Sequence, residues 1–588
     1  MARVIATGTD LDALRARLRS GNLPEELLKP GPEVVLRAGD RRLTRKELGA
    51  EAEQVAGGLQ QLGVKPGDRV AIYAASSLDW VIAYLGLQRA GAALVPMNPD
   101  YHSAEAEHIL NDSDPTLVIA DAPRAAIAHG LGRRVISVDE LPRAIAPPMP
   151  DLTPESLAAI MYTSGTTGRP KGAIIDHGAF LAQGRGAMEV WRWTSNDILV
   201  HTLPLFHLHG LGMGLHGTLL SGASATLVHF SPAAVVAELT RQDDQRGTML
   251  FGVPSMYQRL CDWLDEHPAD LSHVRVFVSG SAPLPPAMFE RCERLLGQKP
   301  IERYGITEGG IVVTNPYDGP RQPGRVGLPF PGVEVRLGEK DEVQLRGGQV
   351  FKGYWRNPNA TEEAFTPDGF FKTADVGEIG EDGTLAIRGR LKELIISGGF
   401  NVYPREVELV LEEHPAVDEV AVAGLPSEDW GEEVTAFIVP SKTSPFDEAE
   451  LIAFARERLA AFKCPRRVVV LDKLPRNAMG KVEKSKLTAR QPFRKKPRAD
   501  FRSIRDQNER ENRSRRELNT SNPKLLGWNN DVLSWNLRTP RCRLNRWRRP
   551  GPRKHEKIGR SGFPARAVTF PRMVTKFWLD APRAIMTI

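Results

Sequence analysis

Short apolar runs alternate with stretches of helically spaced apolar positions over most of this chain. Leu43–Gly63 reads as a helix that follows a short strand pair, Pro66-Gly-Asp68 as a turn and Arg69–Tyr73 as a strand. Trp80, Tyr84, Leu87 and Gly91 recur at helical spacing and give one apolar face. Leu94-Val-Pro96 follows as the next strand. The alternation continues through Leu117–Ala120, Leu157–Tyr162, Ala225–Val228, Met249–Val253 and Val274–Ser279. Helix and strand in alternation predict parallel sheets covered by helices, an α/β fold.

The pattern changes after Arg390. Pro404 stands where a first-turn proline belongs, and Val407, Val410, Leu411 and His414 follow at three-and-four spacing. Val417–Ala423 and Val434–Val439 alternate as strands, with a second helix over Leu451–Leu459. These elements make an α+β module of roughly 100 residues, an ordinary domain size. The expected division is a large domain over 1–391, a small one over 392–489 and an extension over 490–588. A chain of 588 residues exceeds what one hydrophobic core usually supports, which fits more than one domain.

Charge separates the extension from the rest. Residues 490–588 hold 26 Lys/Arg against 8 Asp/Glu, a net of +18, whereas 1–489 carry a net of −12. A basic arm can bind nucleic acid or an anionic membrane. This one has no heptad, zinc spacing or amphipathic period, and mixes Arg, Pro and Asn with Trp528, Trp535, Trp547 and Trp578. It is expected to be disordered, as an out-of-frame or fused extension, with a functional basic arm as the alternative. Met1–Ser20 has no apolar core region and no run of eighteen apolar residues occurs, so neither a secretory signal nor a membrane span is expected. Cys261, Cys292, Cys464 and Cys542 lack metal-ligand spacing and suggest a reducing, cytoplasmic compartment.

The densest chemistry lies in Thr163-Ser-Gly-Thr-Thr-Gly-Arg-Pro-Lys-Gly172. It is not a Walker loop, which needs four residues between its glycines and Ser or Thr after its lysine. It offers four hydroxyls (Thr163, Ser164, Thr166, Thr167), the glycines Gly165 and Gly168, and Lys171. Glycines allow close backbone approach, and successive N–H groups can form an anion-binding concavity, so the segment suits phosphate.

This loop, Tyr304-Gly-Ile-Thr-Glu308, Gly389-Arg390-Leu-Lys392 and Pro475-Arg-Asn-Ala-Met-Gly-Lys481 together resemble the adenylate-forming superfamily. That group includes the acyl-CoA synthetases, the adenylation domains of peptide synthetases and the luciferases. The resemblance runs from about Leu43 to Leu487, with the motifs in that family's order. It implies a large AMP-binding domain, a small mobile domain, and ATP, Mg²⁺ and coenzyme A as reactants and cofactor.

Residue by residue, the resemblance implies that the Thr163–Gly172 loop cradles phosphates and that Thr307 contacts the α-phosphate. Glu308 would help hold Mg²⁺, a hard cation that favours carboxylate and phosphate oxygens. Ser281, Ala282 and Pro283 would line the adenine pocket beside Tyr304 and Gly305. Asp375 and Arg390 would hold the ribose, although the family places Gly where this chain has Ala374; a positive φ there would strain alanine. Lys481 is the expected catalytic lysine, stabilising charge that builds on the α-phosphate. Lys392 is the expected hinge, and Ser397, Gly398, Gly399 and Phe400 would line the pantetheine tunnel. His207 would stand beside the acyl pocket as an aromatic gate. Its neighbour His209 raises zinc as an alternative, but no third ligand is evident.

The surrounding text is closest to the malonyl-CoA synthetases: Trp193-Thr194, Thr202–Gly210, Glu302-Arg-Tyr304, Asn315–Gly319 and Val350–Trp355. Arg259 and Arg303 match the residues that hold malonate's distal carboxylate in that subgroup, a task suited to a guanidinium. Ile306 departs from the subgroup's usual methionine, which leaves substituted malonates open. The expected partners are a small carboxylic acid, ATP and CoA. Alternatives are a medium- or long-chain fatty acid ligase, an enzyme loading a carrier protein, or an inert ligase fold whose basic tail binds nucleic acid.

Overall fold

The computed structural model describes residues 4–6, 10–29, 35–163, 169–398, 400–427, 430–476 and 482–489. Among these the strands form four sheets. Ser164–Gly168, Gly399, Lys481 and the whole 490–588 extension lie outside the described residues.

One sheet has six strands in the order Val135–Ser137, Leu117–Ala120, Arg69–Tyr73, Ala93–Pro96, Leu157–Thr163 and Lys171–Asp176. All its pairings are parallel except the last, where Leu157–Thr163 meets Lys171–Asp176 antiparallel. A second sheet of nine strands has a parallel centre containing Ile198–His201, Met249–Gly252, Val276–Ser279 and Ile301–Ile306. Its antiparallel ends are Gly310–Thr314 with Leu328–Pro329 on one side and Val35–Ala38 with Arg41–Thr44 on the other. The parallel strands are buried on both faces, which is why they read as continuous apolar runs rather than alternations.

The helices form close to where the periodicity placed them, although Leu43 and Thr44 of the first belong to strand Arg41–Thr44. Arg45–Gln61 starts at a capping box, with Thr44 and Glu47 each satisfying the other's backbone N–H. Leu78–Arg89 buries ten of its residues, among them Trp80 and Tyr84, so it is a core helix rather than an amphipathic cover. Gly91 is not part of it; it ends the turn beyond with φ +76.

A third, antiparallel sheet joins Val4–Ala6, Glu334–Leu337, Glu342–Arg346, Phe371–Ile379 and Leu385–Arg390. The small module is built on a fourth, in which Val417–Ser427 and Gly431–Pro440 pair antiparallel and Arg467–Val470 adds in parallel. Helix Pro404–Glu412 packs on it with Val407 and Leu411 fully buried. The architecture is therefore α/β, with a large N-terminal part and a smaller C-terminal one. Among the described residues no helix is long and apolar enough to cross a membrane.

Candidate active site

Strand Leu157–Thr163 and strand Lys171–Asp176 are register partners, with Thr163 opposite Lys171. The pairing brings both ends of the glycine-rich segment to one place. Thr163 Oγ1 donates to Glu308 Oε1 at 2.9 Å, across 145 residues of sequence. Tyr354 donates to the same oxygen at 3.1 Å, and Lys171 Nζ lies 5.2 Å from the Tyr354 ring centroid. Glu308 is buried, and desolvation together with the Glu308 carboxylate holds the Tyr354 phenol well above its ordinary range. Tyr354 was not singled out from the sequence. Its only signal was its place in Val350–Trp355, read there for substrate subgroup.

Thr307 and Glu308 occupy the tip of the hairpin formed by Ile301–Ile306 and Gly310–Thr314. The register slips between Tyr304 and Gly305, a bulge of the kind that re-aims side chains beside active sites. Only glycine fits at 305, because a Cβ there would lie 2.5 Å from the Gly310 carbonyl oxygen. Ahead of the bulge Tyr304 reaches Asp375, donating to Oδ2 at 2.6 Å. Arg390 Nε holds Oδ1 of the same carboxylate at 2.9 Å. Asp375 and Arg390 are cross-strand partners, so the antiparallel sheet itself sets this pair. Ala374, one residue before, has φ +57, and its N–H donates to Glu342.

Arg303 points to the opposite side of its strand from Glu302. It is 5% exposed, and among the described residues its Nε has no hydrogen-bond partner. Burial alone pulls the guanidinium pKa down to about 9. Gly280 makes the room, since a Cβ there would sit 2.3 Å from Arg303 Nε. Arg303 Nη2 donates to Ser281 Oγ at 3.2 Å, and that oxygen is 3.4 Å from His209 Nδ1. Burial lowers both His207, to about 4, and His209, with Arg303's charge adding to the latter, which favours the neutral imidazole in each. The His207 ring is also tilted against Phe206, with centroids 4.4 Å apart, and Ile306 is half-buried against the main core. His209 opens a π-helix, His209–Leu215, a rare element that occurs often at functional sites.

Arg259 departs from expectation. It is exposed, with its guanidinium 4.9 Å from the Phe230 ring centroid, and the structure does not bury it in a clamp with Arg303. Its helix, Pro254–Glu266, buries Tyr257, Leu260, Cys261 and Leu264, and position 259 falls outside that face. Ser281, Ala282 and Pro283 are exposed in a row, but the Ser281 hydroxyl meets Arg303 and His209.

On the small module Lys392 is exposed in the short turn Leu391–Glu393. Ser397 is buried and Gly398 has φ +59, where a Cβ would strike the Trp430 ring at 2.7 Å. Phe400 is 55% exposed and stacks on Phe462 at 4.7 Å. Among the described residues no three His, Cys, Asp or Glu side chains are grouped to hold a metal, so His207 and His209 gain no third ligand.

Residues 27–355 match the model of the AMP-binding enzyme family, and residues 406–481 that of the AMP-binding enzyme C-terminal domain. The chain belongs to the AMP-binding enzyme family. Similar proteins include a malonate–CoA ligase of Arabidopsis thaliana, 35% identical over 72% of this chain and 78% of that protein. A feruloyl-CoA synthase of an Amycolatopsis species is 36% identical over 80% and 98%. Among solved structures, ATP-bound MatB from Rhodopseudomonas palustris superposes with a TM-score of 0.73 at 36% identity, over 80% of this chain and 98% of that one. This AMP-binding enzyme is an AMP-forming acid–CoA ligase, which uses ATP and CoA.

Proposed function

We propose that the acid joined to CoA is malonate or a substituted malonate. The supporting observation is Arg303, a buried guanidinium with no carboxylate beside it among the described residues. An unpaired buried charge is costly, and a substrate with a second carboxylate would supply the missing partner. A fatty or aromatic tail would leave it unpaired. The malonate–CoA ligase among the relatives supports the same reading, while the feruloyl-CoA synthase makes aromatic acids the competitor to test.

A carboxylate is a poor electrophile, so the acid's oxygen first attacks the α-phosphorus of ATP and pyrophosphate leaves. The CoA thiol then attacks the acyl carbonyl and AMP leaves. In this reading the Thr163–Gly172 segment and Lys171 hold the β- and γ-phosphates, and Thr307 touches the α-phosphate. Glu308 would hold Mg²⁺, which neutralises phosphate charge. One buried carboxylate fits an ion whose remaining ligands are mostly phosphate and water oxygens. Asp375, braced by Arg390, accepts the ribose hydroxyls. Tyr304, Gly305 and the Ser281–Pro283 segment flank the adenine, and His207 flanks the acyl group. Lys481 stabilises the charge of the first step, and rotation at Lys392 brings Ser397–Phe400 in for the second.

Pyrophosphate release should be measured with malonate, methylmalonate, butyrate, octanoate and ferulate. A malonate or methylmalonate rate at least about tenfold above the monoacids is expected, because an unpaired guanidinium costs more than a lost methylene contact. Comparable rates for malonate and octanoate would overturn the reading in favour of a fatty acyl ligase, and a lead for ferulate in favour of an aromatic one.

A further inference from the structure

Helix Ser103–Ser113 carries two polar side chains that the two-step reaction leaves unused. His108 and Asp112 are four residues apart and so lie on one side of the helix, beside the face that buries Ala106, Ile109 and Leu110. Both reach the glycine-rich segment, at opposite ends. His108 Nε2 is 2.8 Å from the Pro170 carbonyl oxygen, one residue before Lys171. A carbonyl only accepts, so Nε2 carries the proton and donates. Asp112 Oδ2 accepts from the Tyr162 hydroxyl at 2.5 Å, one residue before Thr163. The His108 ring also meets the Tyr162 ring edge-on, with centroids 6.3 Å apart. Trp355 closes the frame: its Nε1 donates to the Asp112 carbonyl at 3.1 Å, and its backbone N–H to the Gly172 carbonyl at 2.7 Å.

Thr163 and Lys171 are the register pair at the ends of the two strands that flank the segment. Groups that meet a reacting phosphate need placing to within about half an ångström, a task that helices support better than loops. We propose that His108 and Asp112 are positioning residues for the first half-reaction: from one helix they hold the two stems of the phosphate segment, at Pro170 and at Tyr162, at the spacing that seats Thr163 and Lys171 on the β- and γ-phosphates of ATP. The inference rests on the phosphate reading of Thr163–Gly172 and deepens it. Neither side chain touches a reactant in this assignment; each acts through the strand end it holds. Acyl-AMP has lost the β- and γ-phosphates, so a defect here falls on adenylation and spares transfer to CoA. A simple loss of packing would fall on both.

The test uses the full chain with His108→Ala, His108→Gln, Tyr162→Phe and, as a control, Lys171→Ala. It reads kcat and KM for ATP and for the best acid of the panel above, and separately the transfer of supplied acyl-AMP to CoA. Transfer also reports how much of each variant is folded. Tyr162→Phe removes one hydroxyl and keeps the ring, and glutamine keeps an N–H that can reach the Pro170 carbonyl. In Tyr162→Phe, where a bond to a charged group is lost, kcat/KM for ATP is expected to fall about 10- to 50-fold. In His108→Ala it should fall about 3- to 10-fold. KM for the acid and transfer should stay within about twofold, and His108→Gln should recover most of its loss. Transfer falling with adenylation, or His108→Gln as impaired as His108→Ala, would make the helix a packing element and overturn the proposal. So would ATP use unchanged in both Tyr162→Phe and His108→Ala while Lys171→Ala weakens it, with the phosphate reading left standing. Lys171→Ala without effect on ATP use would instead remove the phosphate reading, and the proposal with it.

Discussion

Ala374 carries a left-handed backbone one residue before the carboxylate that Tyr304 and Arg390 both hold. A Cβ in that conformation costs roughly 1–2 kcal/mol, which glycine avoids. Ala374→Gly is therefore expected to raise unfolding stability by about 1 kcal/mol in urea titrations, with adenylation rate unchanged; equal or lower stability would mean that the Glu342 contact fully offsets the strain. The possibility of strain was legible, because the motif around Asp375 wants glycine there. Arg303 was legible as a guanidinium for the acid's distal carboxylate, but the room made for it was not, since that depends on Gly280 coming to lie against its side chain. Arg259 lies exposed where a buried clamp was expected, and the sequence carried the signal for that. Tyr257, Leu260, Cys261 and Leu264 define the inward helical face, and 259 is not on it.

Elements differed in legibility for a physical reason. The parallel strands announce themselves because both faces are buried, and Pro404 and the Thr44–Glu47 box mark helix starts locally. The third sheet was not foreseen, since its short strands recruit partners as distant as Val4–Ala6 with Glu334–Leu337. Among these elements the turn Leu391–Glu393 joins the third sheet to the small module. If Lys392 is the pivot, Lys392→Pro should leave adenylation within a few-fold and slow thioester formation by at least about 100-fold, because a fixed φ forbids the rotation. Lys481→Ala should do the reverse: adenylation lower by about 100- to 1,000-fold and transfer from supplied acyl-AMP largely preserved. Pyrophosphate release and single-turnover thioester formation read the two steps separately. Equal losses in both steps for either variant would show that the roles are misassigned.

At the scale of the whole molecule, a single buried acid should make stability depend on pH. Glu302 is 3% exposed, and burial raises its pKa from 4.5 to about 7, against the opposing pull of the Leu284 N–H and Arg405. Below about pH 4.5 folded and unfolded chains both hold the proton. Between that pH and about 7 only the folded chain does, so its contribution to stability falls as pH rises through this window and then levels off. The difference is about 3 kcal/mol at most. Glu302→Gln should gain stability over the unaltered enzyme at pH 8 and match it at pH 5 in urea titrations; a gain independent of pH would place the titrating group elsewhere.

Asp375 and Arg390 face each other across two strands, and the second strand ends two residues before Lys392. If Lys392 is the pivot, a ribose gripped there would sit at the fulcrum of the small domain rather than at its tip. A lever loaded at its fulcrum can sweep a wide arc while its load barely shifts. An adenylate held in that place would keep its position as the machinery around it is exchanged, and would spend no part of the swing adrift in water.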